Sequence, residues 1–134
     1  MKKRNGFTLI ELLAVLVVLS VISTIVFPIV SDVISDSEKG AYEEIENSII
    51  RAAKLWATDN SSKLIRVNAS NQLEQKNCHV KLSTLKTDGY FEDKETINPQ
   101  NDENIDGTII ELEYTNNQYK YTIKTSGSST YSEC

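Results

Sequence analysis

Residues able to carry chemistry are scarce in this 134-residue chain, which has one histidine, two cysteines and one tryptophan. It contains no G-x-S-x-G elbow, no C-x-x-C pair and no H-E-x-x-H motif, so serine-hydrolase, dithiol-redox and zinc-protease chemistries lack their signatures. The one histidine, His79, directly follows Cys78, yet neighbours in extended backbone point to opposite faces and do not serve each other as nucleophile and base. A half-cystine beside a surface histidine is the more economical account, and no enzyme activity is expected. Trp56 and the six tyrosines read as core and interface residues. There is no internal repeat, and the only biased tract is the short Ser/Thr/Gly stretch 125–132. Charge is the most unevenly missing property: residues 7–27 carry a single charged side chain, Glu11.

As a helix at ~1.5 Å per residue that run is about 32 Å long, enough to cross a hydrocarbon core of roughly 30 Å. Lys2, Lys3 and Arg4 precede it while Asp32, Asp36 and Glu38 follow it. The positive-inside bias therefore places the N-terminus in the cytoplasm and everything after about residue 28 outside. A cleaved secretory signal has an apolar core of only ~7–15 residues and ends in a small-x-small site; here the core is longer and no A-x-A follows. A plain signal anchor needs only length and flanking charge. Glu11 argues against it, because an ionisable side chain near the middle of a membrane helix costs ~2.5–3.5 kcal/mol and marks function by default. Its place near the cytoplasmic end permits snorkelling, which lowers that cost.

Gly6-Phe7-Thr8-Leu9-Ile10-Glu11, behind a short basic leader and ahead of an uninterrupted apolar helix, resembles the prepilin N-terminal motif shared by type IV pilins, competence pseudopilins and type II secretion pseudopilins. The resemblance implies that a membrane-embedded prepilin peptidase cuts after Gly6 and N-methylates Phe7. It implies also that Pro28 is the helix-kinking proline many members carry, and that Glu11 of an incoming subunit pairs with the Phe7 amine of its neighbour. Elementary electrostatics agrees with that pairing: the new amine has a reference pKa of ~7.7–8.0, opposite charges stabilise one another in a low-dielectric layer, and an unpaired one is costly. Phe7, Glu11 and Pro28 are the expected assembly residues, with Glu11 setting the axial stagger of a filament. The implied partners are the peptidase, copies of this chain and other pilins, an assembly platform with its ATPase, and the membrane. The implied location is the inner or cytoplasmic membrane before assembly, and a surface or periplasmic filament afterwards.

Loss of residues 1–6 would change the balance from 14 basic against 19 acidic to 11 against 19, moving the net charge from −5 to −8. Nucleic-acid binding rests mainly on neutralising phosphates, so direct binding is not expected. Lys76, His79, Lys81 and Lys86 form a local basic group that reads as a solvated face.

After Pro28 the pattern turns amphipathic: Val30, Ile34, Ala41, Ile45, Ile49, Ala52 and Trp56 draw one stripe along a helix. Pro28 should kink or loosen that helix, Gly40 is a second soft point, and the polar run 59–62 ends it. The chain thus divides into a leader 1–6, a transmembrane segment 7–28, an amphipathic continuation 29–60 and an extracytoplasmic head 61–134, with one helix over 7–58. Within the head, 63–67 reads as a weak strand, 68–77 as a loop, and 80–86 as a short helix closed by Asp88-Gly89. The strongest strand signal is a hairpin, 108–114 and 118–125, around Thr115-Asn116-Asn117. Its residues Ile110, Leu112, Tyr114, Tyr119, Tyr121 and Ile123 share one apolar face. Residues 90–97 are the expected third strand. The fold class is α+β, a long helix packed on a small antiparallel sheet, pilin-like.

A head of about 75 residues is small enough for staples to matter. Cys78 and Cys134 both lie on the side read as extracytoplasmic, where disulfides persist. Bridging them closes a 57-residue loop, worth about 4 kcal/mol in the chain-entropy model. Many pilins carry a disulfide near the C-terminus, so the resemblance agrees.

One constellation has metal spacing. Asp102, Asn104 and Asp106, then Gly107 and Glu113, satisfy the oxygen pattern of a calcium loop. Asn98-Pro99 precedes it instead of a helix, and an Asp/Asn/Gly-rich turn opening a hairpin is the favoured account. If Ca2+ binds, Asp102, Asn104 and Asp106 are its ligands and it raises the melting temperature; no other cofactor is expected. Two functions remain: a filament subunit assembled through residues 7–58, or a monomeric signal-anchored extracytoplasmic binding domain.

Overall fold

A computed structural model describes residues 6–125 and 128–134. Its first element, α1 (Leu9–Asp59), runs 51 residues with Pro28 inside it, close to the helix expected over 7–58. Asn60 closes its last turn twice, donating to the Trp56 carbonyl from both its backbone N–H and its side-chain amide. Contacts divide the chain into two units, Met1–Glu38 and Lys39–Cys134.

In the first unit the large apolar side chains, among them Phe7, Leu13, Val18, Ile25 and Phe27, are all exposed. The run carries hydroxyls as well, and each is satisfied by its own helix: Ser20, Ser23 and Thr24 donate to the carbonyls of Val17, Leu19 and Val21 at 2.7–2.8 Å. Such a surface suits hydrocarbon, where every polar group must find its partner within the chain. By length and composition α1 can cross a membrane.

The second unit is built on the later turns of α1, where Ile49, Ala52, Ala53, Trp56 and Ala57 are buried. The stripe anticipated from Val30 onward is covered only in part: Ile45 is half-buried, whereas Val30, Ile34 and Ala41 stay exposed. A 3₁₀ turn (Ser61–Leu64) leads to β1 (Ile65–Val67) and β2 (Leu73–Gln75), which pair antiparallel. Then come β3 (Cys78–Lys81), α2 (Leu82–Thr87), β4 (Ile109–Thr115) and β5 (Gln118–Lys124). The last three strands form an antiparallel sheet in the order β3-β4-β5.

The hairpin is the one expected, in register Ile110↔Ile123, Leu112↔Tyr121 and Tyr114↔Tyr119. Its loop is two residues rather than three, because Thr115 still pairs with Gln118. Asn116 (φ 53°) and Asn117 (φ 64°) both take positive φ, the requirement of a tight turn whose twist matches the flanking strands. α2 closes as anticipated on Gly89, which adopts φ +81° and donates to the Lys86 carbonyl.

Three expectations are corrected. Residues 68–77 are not a loop throughout, since β2 lies among them. The short helix begins at Leu82, not at 80, because Val80 belongs to β3 and is buried. The third strand is β3 and not 90–97; of that stretch only Ile97 makes a strand-like contact, a single bridge to Asn104. Glu92, Asp93, Lys94 and Glu95 hold no buried strand face, whereas Cys78 and Val80 supply two side chains of zero and 1 % exposure. Val80, Leu82, Leu85, Ile110 and Leu112 meet Trp56 and the other buried α1 residues in one core.

Candidate functional site

Thr8 stands immediately before the first residue of α1 and caps it. Its hydroxyl oxygen accepts the Glu11 N–H at 3.3 Å, while Glu11 Oε2 accepts both the Thr8 N–H (2.9 Å) and the Thr8 hydroxyl (2.8 Å). This reciprocal Thr-x-x-Glu arrangement satisfies two of the donors that every helix start leaves open, and it places a carboxylate where the positive end of the helix dipole favours one. Glu11 therefore has a role within its own chain that the reading of the sequence, which weighed only its charge, did not find. The signal was present, because a threonine followed three residues later by a glutamate is the capping-box pattern.

Gly6 and Phe7 lie just outside the helix and are exposed, Phe7 at 75 %. A Cβ built on Gly6 would meet nothing within 4 Å, so packing within the chain makes no demand for glycine there. Pro28 sits in the middle of α1, flanked by the exposed Phe27 and Ile29.

Cys78 and Cys134 are bonded, with Cα atoms 5.1 Å apart. Beside them His79 turns the other way, as alternation in a strand requires: its Nδ1 faces the Tyr131 carbonyl at 2.6 Å. Of the basic group expected to be a solvated face, Lys81 is exposed and Lys76 and His79 are half-buried, and only Lys86 departs from it by being buried. Lys76 Nζ donates to the Glu133 carbonyl (3.2 Å), Lys81 pairs with Glu133 (2.8 Å), and Lys86 is buried against Asp106 (2.5 Å) and the Lys94 carbonyl. The acidic face of the hairpin is likewise covered at one point. Glu111 is 8 % exposed and accepts from the Ser129 hydroxyl (2.8 Å) and the Thr130 N–H (2.9 Å). The Thr130 N–H, against the opposing effect of burial and with help from Ser129, holds the Glu111 carboxyl below the usual carboxylate range.

The calcium-like loop is held by its own side chains. Asn104 Oδ1 accepts the Asp106 N–H at 2.7 Å and Asn104 Nδ2 donates to Glu95. Asp106 Oδ1 accepts from Lys86 and from the Thr96 N–H. Asp102 adopts φ 54° and is exposed. Among the described residues no group of three or more His, Cys, Asp or Glu side chains is placed to hold a metal. Asp106 already faces a cation, the Lys86 ammonium.

No curated protein and no solved structure matches this chain. A family model does, the prokaryotic N-terminal methylation motif, over residues 1–27. Those residues hold Gly6, Phe7, the Thr8–Glu11 cap and most of the uncovered apolar helix. Over residues 1–27 the chain carries the prepilin-type N-terminal signal of type IV pilins and pseudopilins, which with the apolar helix fits membrane anchoring.

Proposed function

We propose that this chain is a structural subunit of a type IV pilus or related pseudopilus, cleaved after Gly6, methylated on Phe7 and polymerised through α1. The observation that carries the reading is the methylation motif over residues 1–27 on a helix whose large apolar side chains from Leu9 to Ile34 are all exposed. Before assembly the helix sits in the membrane with its N-terminus cytoplasmic, and residues beyond about 28 lie outside. An assembly platform and its ATPase then draw the subunit into the filament. Within it Glu11 meets the Phe7 amine of the next copy, with Pro28 adjusting the path of the helix. Adhesion, motility, DNA uptake and protein secretion are all served by filaments of this kind.

Intact-mass measurement of protein extracted from membranes is the test. Loss of Met1–Gly6 and gain of one methyl is the expected result, and a full-length, unmethylated chain would overturn it. Glu11→Gln in cells with an active peptidase should leave cleavage intact and stop filament growth.

A second reading, a monomeric anchored binding domain, draws on the Thr8–Glu11 cap, which gives the carboxylate partners without any second copy. Under it Glu11→Gln would weaken the helix start and leave no assembly phenotype.

A further inference from the structure

We propose that the Cys78–Cys134 bond is a redox-operated latch that decides whether residues 128–134 cover the outer edge of β3.

The sheet order β3-β4-β5 leaves one side of β3 without a strand from the main sheet. Residues 128–134 fill that place. Glu133 bridges His79 in parallel, the His79 N–H donates to the Ser132 carbonyl (3.0 Å), and the Cys134 N–H donates to the His79 carbonyl (2.9 Å). Both backbone groups of His79 thus depend on this segment. The same residues reach over the polar face of the sheet, where His79 and Glu111 stand opposite each other on β3 and β4, and there Ser129 and Thr130 supply two donors to the Glu111 carboxylate.

What the segment lacks is an apolar anchor. Its described residues are Ser128, Ser129, Thr130, Tyr131, Ser132, Glu133 and Cys134, and of these Cys134 alone packs against the core cluster. Polar contacts exchanged with water return little net stabilisation each, while ordering seven residues costs backbone entropy at every one. The covalent bond decides that contest by holding the segment at high effective concentration beside β3. The core itself, from Ile49 and Trp56 to Ile110 and Leu112, packs without residues 128–133. Opening the bond therefore frees the segment and leaves the remaining fold standing.

The bond opens by dithiol exchange. A thiolate of the donor attacks Sγ of Cys134, the half-buried partner, because Cys78 has zero exposure. Cys78 leaves as a thiolate and takes a proton. The donor's second thiol then displaces Cys134, so the chain gains two thiols and the donor becomes a disulfide. In the open state β3 presents the N–H and C=O of His79 as an unguarded edge, and Glu111 loses two donors. In the closed state the edge is protected against pairing with other chains.

The test is amide exchange on the full chain in detergent micelles, with and without a dithiol reductant, and on Cys134→Ser without reductant. Reduction and the substitution should each lower protection at His79 and Thr130 by about tenfold or more beyond any loss shared with Ile110, Leu112 and Ala53, whose loss reports only the stability the bond gives the head as a whole. Unchanged protection at His79 and Thr130 would overturn the proposal, since the segment would then stay docked without the bond. Losses at His79 and Thr130 no larger than those at Ile110 and Leu112 would overturn it too, because the bond would then act only as a staple of the whole head.

Discussion

Replacing Lys86 by methionine keeps most of the aliphatic stem and removes the buried ammonium. In the native head that group is 9 % exposed and donates to Asp106 Oδ1 at 2.5 Å and to the Lys94 carbonyl. Breaking a fully buried ion pair costs about 3–5 kcal/mol. Asp106, however, is 36 % exposed and keeps the Thr96 N–H, so water can resolvate it and the expected loss falls to about 1–3 kcal/mol. Each kcal/mol lowers the melting temperature of a domain this size by about 4–8 °C. The effect should also depend on pH in a definite direction. Burial alone would raise the Asp106 pKa, but hydrogen bonds from Lys86 and the Thr96 N–H, with the charge of Lys86, hold it below the usual carboxylate value. A depressed native pKa stabilises above the unfolded value of ~3.9 and loses that contribution as pH falls through the native value. The gap between wild type and Lys86→Met should therefore be widest near neutrality and narrow in acid. Urea unfolding of the full chain in detergent, followed by near-ultraviolet dichroism at neutral and acid pH, measures both. A loss below about 0.5 kcal/mol at neutrality, or a gap that ignores pH, would refute the reasoning.

Three further outcomes are expected. Asn117→Gly should stabilise the head by a few tenths to about 1 kcal/mol, because glycine takes φ 64° without the cost of a Cβ, whereas Asn117→Ala should destabilise it by about 1 kcal/mol; thermal melts check both. Calcium titration should leave the wild-type melting temperature unmoved, since Lys86 already supplies the cation on Asp106, and a rise would restore the calcium reading of Asp102, Asn104 and Asp106. Thr8→Ala should speed amide exchange over the first turn of α1 while Thr8→Ser should not, because serine retains the hydroxyl that accepts the Glu11 N–H and donates to its carboxylate.

Long periodic elements were legible from the sequence; of the short ones, β1 and α2 were legible in outline and β2 and β3 were not. The run of apolar side chains and the stripe around Ile49, Ala52 and Trp56 announce α1, and the alternation of Ile110, Leu112 and Tyr114 announces β4, because burial repeats often enough to be counted. β3 has four residues and flows directly into α2, so its inward Val80 merges with the neighbouring helical pattern, while Cys78 stands out only as a half-cystine. β2 has three residues and owes its existence to pairing with β1, reinforced by Arg66 and Glu74 at 2.5 Å. No local signal foretells such a pairing. The same limit applies to Lys86, whose partner Asp106 lies 20 positions away, and to Glu111, whose alternation marks an outward face that residues 129 and 130 then cover. At the N-terminal site Gly6, Phe7 and Glu11 stood out by residue type and spacing. The partnership of Thr8 with Glu11 was equally written there, but it is a statement about backbone donors and not about charge.

The covalent link between Cys78 and Cys134 also sets how the molecule yields to mechanical load. A pull transmitted along α1 can strip residues only as far as Asn77, for beyond that point the polypeptide is a closed ring. With 56 positions between the two half-cystines and about 3.4 Å of contour each, roughly 190 Å of slack stays locked away. A stretched fibre of such subunits would lengthen by peeling its helices and would stop short of unravelling its heads.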